Sequence, residues 1–164
     1  MKERLAKIRL LVLDVDGIMT DGCMYYGESG EEMKKFNFRD GYGIRLLKRA
    51  GIEVAIVTLE DTRMVERRAA KLQLAEVHQG ITEKGAKLRE IKERLSIPTE
   101  AVAYMGDDLF DLPAFAEAGL KLTVPDAVPA VRKAADFVTE HAGGTGAVRE
   151  VAEMILQAQG RFPA

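Results

Sequence analysis

The sequence predicts an α/β fold with a Rossmann-like, mostly parallel sheet and helices on both faces. Two observations support this class: apolar, strand-like runs alternate with helix-like segments along the chain, and the strand-like runs end in polar residues. Buried parallel strands have this composition, and their ends feed a site at one edge of the sheet. A third observation, the segment 22–38, breaks the alternation and predicts a β-hairpin insertion.

The first strand is predicted in "IRLLVLDVD", from residue 8, and the second in "IEVAIVT", residues 52–58. Between them, "YGIRLLKRAG", residues 42–51, has apolar residues at helical spacing and ends in Gly51, a typical helix C-cap. Strand, helix and strand together make a crossover unit. In the segment 22–38, "GESGE" lies between two stretches rich in aromatic and alternating apolar residues, which is typical of a hairpin.

The alternation continues to the C-terminus. Strands are predicted in "EVHQG", "VAYMGDD", "KLTVPDA" and "DFVTE", and helices in "DTRMVERRAAKLQL", "EKGAKLREIKERLS", "LFDLPAFAEAG", "VPAVRKAA" and from about Ala147 to Gln159. No internal repeat or long linker interrupts the chain. We therefore expect one domain over residues 1–164, with a glycine-rich C-terminal segment at about 142–164.

The composition excludes several classes of protein. With a net charge of −2 over 164 residues, the chain lacks the excess of Lys and Arg that nucleic-acid binding requires. The single cysteine, Cys23, cannot form an intramolecular disulfide. The N-terminal apolar run stops at Asp14 and predicts neither a signal peptide nor a membrane span. We expect a cytoplasmic protein with no nucleic-acid or membrane partner.

Carboxylates follow two of the predicted strands. Asp14 and Asp16 end the first strand and are predicted to share a face of it, while Asp107, Asp108 and Asp111 follow "VAYM". Because parallel strands end at one edge of a sheet, these groups are expected to meet there and to bind Mg²⁺. Helix capping is the alternative and is favoured for Asp108 or Asp111 taken alone.

Two further strand ends carry candidate site residues. Thr58 closes the second strand, where its hydroxyl and the backbone N–H groups of a following helix start could hold an anion. A simple turn or cap is the alternative. Lys84 begins a predicted helix, where a cation is unfavourable for the helix dipole, so it is expected to serve another purpose. A solvated surface lysine is its alternative.

These positions resemble the four motifs of the haloacid dehalogenase superfamily of phosphotransferases. "DVDGIMTDG" resembles the first motif, with Ile18 where many members have Val or Thr, and Thr58, Lys84 and "GDDLFD" match the other three in order. The resemblance covers nearly the whole chain. It implies that Asp14 is a nucleophile forming an aspartyl-phosphate and that Asp16 is the general acid and then the base.

The same resemblance implies how the phosphoryl group and the metal are held. Thr58 and Lys84 would hold the transferring phosphoryl group. Mg²⁺ would be bound by Asp14, the backbone carbonyl of Asp16 and Asp107, with Asp108 or Asp111 supporting that shell.

Within the superfamily, the chain is similar to the small phosphatases without a cap domain that act on 3-deoxy-D-manno-octulosonate 8-phosphate (Kdo 8-phosphate). Only the hairpin occupies the gap where other members insert a cap. This similarity implies a homotetramer with the hairpins at its centre. Met24, Tyr25 and Tyr26 favour the same interpretation, because a solvent-facing hairpin would expose an apolar patch. Packing of the hairpin on its own domain is the alternative.

The stretch "FNFRDGYGIR", residues 36–45, matches the substrate-binding stretch of that family. The resemblance predicts six pocket residues: Asn37, Phe38, Arg39, Asp40, Gly41 and Arg45. A cation here suits the carboxylate of a sugar acid, although Arg45 could also be an exposed helix residue. The segment "AGGTGAVREV", residues 142–151, resembles a tail that reaches a neighbouring subunit, and its Arg149 is either a substrate ligand or a helix-surface charge.

One departure concerns the substrate. The chain has "TLE" where the family has "TGR", so Glu60 replaces an arginine. In this feature and in Lys71 it resembles the related phosphatases of nine-carbon sugar acids, such as 2-keto-3-deoxynononate (Kdn) 9-phosphate, while Arg68 is shared by both groups. A glutamate here can accept hydrogen bonds from sugar hydroxyls and would repel a carboxylate. The alternative is that Glu60 only stabilises the dipole at a helix N-terminus. We expect a Kdo 8-phosphate phosphatase, with a nine-carbon substrate as the alternative and a non-catalytic oligomerisation module as a weaker one.

Overall fold

The computed structural model describes residues 1–162, except for the side chain of Glu32. Pro163 and Ala164, the end of the predicted C-terminal segment, lie outside the described residues. The strands are β1 (Leu10–Leu13), β2 (Tyr25–Gly27), β3 (Gly30–Met33), β4 (Glu53–Val57), β5 (Glu76–His78), β6 (Val102–Met105), β7 (Leu120–Thr123) and β8 (Phe137–Val138). The α-helices are α1 (Lys2–Ala6), α2 (Phe38–Arg49), α3 (Arg63–Leu72), α4 (Lys84–Leu95), α5 (Leu112–Glu117), α6 (Pro129–Ala134) and α7 (Ala147–Ala158).

Six strands form a parallel sheet in the order β5-β4-β1-β6-β7-β8. Every residue of β1 and β6 is buried, although successive side chains point to opposite faces. Both faces of the sheet are therefore covered, as predicted: α2 packs against α7 and α3, and α4 packs against α5. The next strand of this sheet after β1 is β4, which lies on one side of the β1–β6 pair, whereas the next strand after β6 is β7, which lies on the other side. The edge between β1 and β6 is thus the topological switch point, where open α/β sheets bind ligands.

The predicted hairpin is present as the antiparallel pair β2 and β3, which is separate from the main sheet. Two helix predictions need correction. Helix α2 begins at Phe38, not at residue 42, because the side chain of Asn37 caps it by accepting the N–H of Arg39 at 2.7 Å. The segment "LFDLPAFAEAG" divides into a short 3₁₀ turn, Leu109–Asp111, and α5.

Helix α1 has no counterpart among the predicted elements. Among the described residues, no helix has the length and the apolar character needed to cross a membrane.

Candidate active site

Three carboxylates meet at the switch point of the sheet. Asp14 directly follows β1, Asp107 follows β6 after one glycine, and Asp111 ends the 3₁₀ turn that comes next. One oxygen from each lies within 4.8 Å of the others. Because β1 and β6 are adjacent and parallel, their carboxyl ends deliver Asp14 and Asp107 to the same place. We call Asp14, Asp107 and Asp111 the carboxylate trio.

Lys84 supplies one positive charge to the trio. It is the first residue of α4, and its side chain is fully buried. Its Nζ lies 2.8 Å from Asp14 Oδ2 and donates to Asp111 Oδ1 at 2.7 Å. The hydroxyl of Tyr104 also donates to Asp111 Oδ1, at 2.7 Å. The position of Lys84 excludes the surface-lysine alternative, and one ammonium group faces three carboxyl groups.

This imbalance of charge shifts the pKa values of the trio. Burial, followed by the charge of Asp111, raises the pKa of Asp14 to about 7. Burial, followed by the charge of Asp14, raises the pKa of Asp107 to about 8. Both Asp14 Oδ2 and Asp107 Oδ1 are buried. Among the described residues, Asp107 Oδ1 has no hydrogen-bond partner, and Asp14 Oδ2 has only the ion pair with Lys84. A hard divalent cation would satisfy both oxygens and favour ionised carboxylates, so the residues present fit Mg²⁺.

Asp108 lies outside the trio. Its side chain accepts the N–H of Leu109 at 2.6 Å and caps the 3₁₀ turn, while Asp111 Oδ2 accepts the N–H groups of Asp107 and Asp108. The structure thus gives Asp108 the capping geometry that was its alternative. Asp111, not Asp108, is the acidic residue of "GDDLFD" that lies beside Asp14 and Asp107.

Asp16 has surroundings different from those of Asp14. Strand β1 ends at Leu13, so the alternation of a strand does not extend over Asp16, and the prediction of a shared strand face is wrong. The carboxylate of Asp16 is not part of the trio; both of its oxygens accept hydrogen bonds from Lys34 Nζ, at 2.8 and 2.9 Å. Sequence reasoning missed Lys34, because two lysines after a hairpin strand carry no signal that one of them is buried.

Thr58 directly follows β4, the strand on the other side of β1, and is buried. Its carbonyl accepts the N–H of Ile81 at 3.0 Å. The prediction that a helix starts right after it is wrong: α3 begins only at Arg63, and Thr62 Oγ1 caps it by accepting the N–H of Val65. The residues between Thr58 and α3 form a loop that contains Glu60, which is half-buried.

Several residues of the predicted substrate stretch hold the termini of helices together. Asn37 Nδ2 donates to the carbonyl of Gly144 at 3.2 Å, and its own carbonyl accepts a bond from Arg68 at 2.8 Å. The buried Asp40 accepts the N–H of Arg149 at the start of α7, at 2.8 Å. Burial raises the pKa of Asp40. These contacts join α2, α3 and α7 at one end.

Three residues of the predicted stretch, Phe38, Gly41 and Arg45, line a pocket between α2 and α3. Its lining consists of Phe38, Gly41, Tyr42, Arg45, Arg68, Lys71 and Leu72. A neighbouring cavity of about 350 Å³ is lined by Arg45, Lys48, Arg49, Lys71, Leu72 and Gln73. No member of the trio lines either of these two spaces.

Arg39 and Arg149 line a third cavity, with His141 and Glu150. The guanidinium group of Arg149 bonds to Glu153 at 2.5 Å and lies over the ring of Tyr42. Its side chain is therefore paired within its own helix and with α2, in agreement with the helix-surface alternative.

This fold and this site define a haloacid dehalogenase-like hydrolase, and the family model with that description matches residues 60–151. The 3-deoxy-D-manno-octulosonate 8-phosphate phosphatase of Salmonella typhi is 49% identical over 94% of this chain and 82% of its own length, and that of Yersinia pestis is 47% identical over 98% and 86%. The chain belongs to this phosphatase family.

A solved structure of the Moraxella catarrhalis phosphatase, in complex with magnesium, phosphate and KDO, has a TM-score of 0.95 and 42% identity to this chain. The match covers 98% of this chain and 92% of that one. The cobalt-bound phosphatase of Haemophilus influenzae has a TM-score of 0.93 and 41% identity, with coverage of 96% and 92%. Both have the same fold as this chain.

Proposed function

We propose that the protein is a Mg²⁺-dependent phosphatase that hydrolyses Kdo 8-phosphate to the free sugar acid and phosphate. The observation that carries this proposal is the carboxylate trio around Lys84 at the switch point of the sheet. The relatives that are 47–49% identical to the chain carry the name of this activity, and a homologous structure contains magnesium, phosphate and KDO.

The reaction divides between two carboxyl groups. Asp14 attacks phosphorus, the bond from phosphorus to the sugar oxygen breaks, and the carboxyl proton of Asp16 goes to that oxygen. In the second half, the carboxylate of Asp16 takes a proton from water, whose oxygen attacks the aspartyl-phosphate. The bond from Asp14 to phosphorus breaks, inorganic phosphate leaves, and Asp16 carries a proton again.

The other residues at this edge of the sheet bind the phosphoryl group and the metal. Lys84 and Thr58 hold the phosphoryl oxygens, and Lys84 also neutralises part of the charge on Asp14. Asp14, Asp107 and the backbone carbonyl of Asp16 hold the metal. When bound, Mg²⁺ neutralises the carboxylates and the phosphoryl oxygens together.

The assembly is part of the proposal. The hairpin exposes 69% of Tyr26, 58% of Met33 and 45% of Tyr25, an apolar surface that suits burial between subunits. The predicted sugar-binding cations Arg45 and Lys71 lie in a pocket apart from the trio. We propose a homotetramer in which neighbouring subunits close the site, one catalytic domain per chain, and a cytoplasmic location.

A nine-carbon substrate is the second candidate, and Glu60 and Lys71 favour it. A glutamate close to the phosphoryl site would accept hydrogen bonds from sugar hydroxyls and repel the carboxylate. The two candidates differ in substrate and share the reaction.

Phosphate release from the purified protein with Mg²⁺ tests both candidates. Kdo 8-phosphate and Kdn 9-phosphate are compared, and Asp14→Asn provides the blank. A strong preference for the eight-carbon compound supports the proposal. A preference for the nine-carbon compound assigns specificity to Glu60 and Lys71. Activity on neither compound refutes both substrates and leaves the non-catalytic module as the remaining candidate.

A further inference from the structure

Two consecutive lysines, Lys34 and Lys35, directly follow β3 of the hairpin, and each forms an ion pair with an aspartate of the segment after β1. Lys34 Nζ bonds to both carboxylate oxygens of Asp16, and Lys35 Nζ lies 2.6 Å from Asp21 Oδ2. The two pairs differ in their exposure to solvent. The side chain of Lys34 is fully buried, whereas that of Lys35 is 55% exposed.

The burial of Lys34 requires an explanation. Removing an ammonium group from water is costly unless it is paired with carboxylates, and replacing such a pair by apolar side chains is often neutral or stabilising. Lys34 is paired with Asp16 and, at 3.4 Å, with Glu31. Both Lys34 and Glu31 come from the hairpin segment, so the hairpin contributes this buried charge to the loop that carries Asp16.

The contact with Lys34 also fixes the direction of the Asp16 side chain. Apart from Lys34, the carboxylate accepts one long bond, from Thr20 Oγ1 at 3.4 Å. It is not part of the trio, and among the described residues Lys84 pairs with Asp14 and Asp111 instead. An ammonium group that contacts both oxygens restricts the rotation of the carboxyl group.

We propose that Lys34 is a positioning residue for proton transfer: it holds the carboxyl group of Asp16 in place for both halves of the reaction, and so couples the hairpin to catalysis. This inference rests on the proposed function. Lys34 keeps its own protons throughout. The proton that reaches the leaving oxygen comes from Asp16, and the proton that returns to Asp16 comes from water.

The proposal predicts different effects on two kinds of substrate. A sugar alkoxide is a poor leaving group and needs the proton of Asp16, whereas p-nitrophenolate leaves without protonation. Both substrates give the same aspartyl-phosphate, whose hydrolysis needs Asp16 as a base. A misplaced Asp16 therefore slows both steps with Kdo 8-phosphate, but only the second step with p-nitrophenyl phosphate.

The experiment compares Lys34→Met with Lys35→Met, the matched control from the neighbouring ion pair, in Mg²⁺ buffer. We expect Lys34→Met to lower kcat for Kdo 8-phosphate about 100-fold, the typical cost of a misplaced catalytic group, with KM nearly unchanged. With p-nitrophenyl phosphate, it should release a burst of p-nitrophenolate at the wild-type rate and then turn over slowly. Lys35→Met should match the wild type. Lys34→Arg should recover part of the activity, because a guanidinium group can also hold both oxygens.

Several outcomes would overturn the inference. A wild-type kcat in Lys34→Met would remove Lys34 from the mechanism, and a rise in KM alone would make it a substrate contact. A burst slowed as much as the later turnover would indicate general damage to the site. If Lys34→Met fails to fold by circular dichroism, Lys34→Gln, which has no charge and cannot hold both oxygens as an ammonium group does, carries the test: the burst pattern supports the proposal, and wild-type kinetics give Lys34 a purely structural role.

The same assay separates this inference from the proposed function. A wild-type protein that hydrolyses p-nitrophenyl phosphate but not Kdo 8-phosphate would refute the proposed substrate, while the burst and the later turnover would still test Lys34. A wild-type protein that releases phosphate from neither compound would refute both proposals.

Discussion

A methyl group added at Gly17 tests how the loop after β1 shapes the metal site. Gly17 has a φ of +81°, and a Cβ built on it would lie 2.9 Å from Oδ1 of Asp107 and still closer to Oδ2. In Gly17→Ala, the side chain of Asp107 must turn away, because hydrogen bonds hold the backbone of the loop: the Val15 carbonyl accepts the N–H of Met19, and the Ile18 carbonyl accepts the N–H of Gly144. The left-handed backbone adds a cost of about 1–2 kcal/mol in any residue with a Cβ.

A second glycine separates the two costs. Gly51, which follows α2, has a φ of +75°, and no atom lies within 4 Å of its Cβ position. Gly51→Ala therefore has the same backbone strain without a displaced ligand. We expect both variants to lose about 1–2 kcal/mol of unfolding free energy. Only Gly17→Ala should bind Mg²⁺ about 10–100-fold more weakly, the usual effect of disturbing the surroundings of a metal ligand.

Thermal unfolding at increasing MgCl₂ measures both quantities, because a ligand that binds only the folded state stabilises it in proportion to the logarithm of its concentration over Kd. The wild type and Gly51→Ala should show the same rise in Tm with Mg²⁺, and Gly17→Ala a clearly smaller one at each concentration. Equal rises in all three proteins would refute the role of Asp107 as a ligand that Gly17 leaves room for.

Three further predictions concern charge and assembly. In EDTA, the unfolding free energy measured by urea titration should fall as pH rises from about 4 to 8. Folding raises the pKa of Asp14 to about 7 and that of Asp107 to about 8, so the folded protein retains protons that ordinary carboxylates, with a pKa near 4, release on unfolding. Saturating Mg²⁺ should abolish this dependence on pH. Asp111→Asn should cost about 3 kcal/mol in the same assay and Tyr104→Phe about 1. Asp111 accepts bonds from Lys84, Tyr104 and two backbone N–H groups, whereas the second variant removes one of these bonds; the reverse order would contradict the geometry. Tyr26→Glu should give a species smaller than the wild type in sedimentation velocity with an unchanged circular dichroism spectrum, and an unchanged sedimentation coefficient would exclude the hairpin from the interface.

The elements that sequence reasoning located correctly are those whose signal is local. The apolar run that ends at Asp14 and the run that ends before Asp107 predict buried parallel strands, and parallel strands end at a common edge. The sheet and the meeting of these two carboxylates follow from that rule alone. The rule does not predict that Lys84 is the buried cation between Asp14 and Asp111, because the burial of Lys84 depends on how α4 packs.

The errors have physical reasons of two kinds. Helix α2 begins four residues before its apolar periodicity does, because its first turns contain two glycines and are stabilised by the cap from Asn37. Because Gly41 and Gly43 have no Cβ, Arg68 and Arg149 can pack directly against the helix at these positions. These glycines thus serve contacts with distant parts of the chain, which local periodicity does not reveal. Likewise, the sequence does not show which of Asp108 and Asp111 caps the turn and which lies beside the other site carboxylates, because an aspartate suits either role.

Asp14 and Asp16 are one residue apart in sequence, yet different parts of the fold hold them. Asp14 is fixed by the end of β1, by its own bond to the N–H of Val15 at 2.7 Å, and by Lys84, the buried first residue of α4. Asp16 is fixed by Lys34, which the hairpin supplies. The nucleophile therefore depends on the core of the sheet, and the proton-transferring group depends on a hairpin that is separate from the main sheet. A change in the hairpin would thus affect proton transfer before it affects attack on phosphorus, which is the separation that the burst kinetics of Lys34→Met measure.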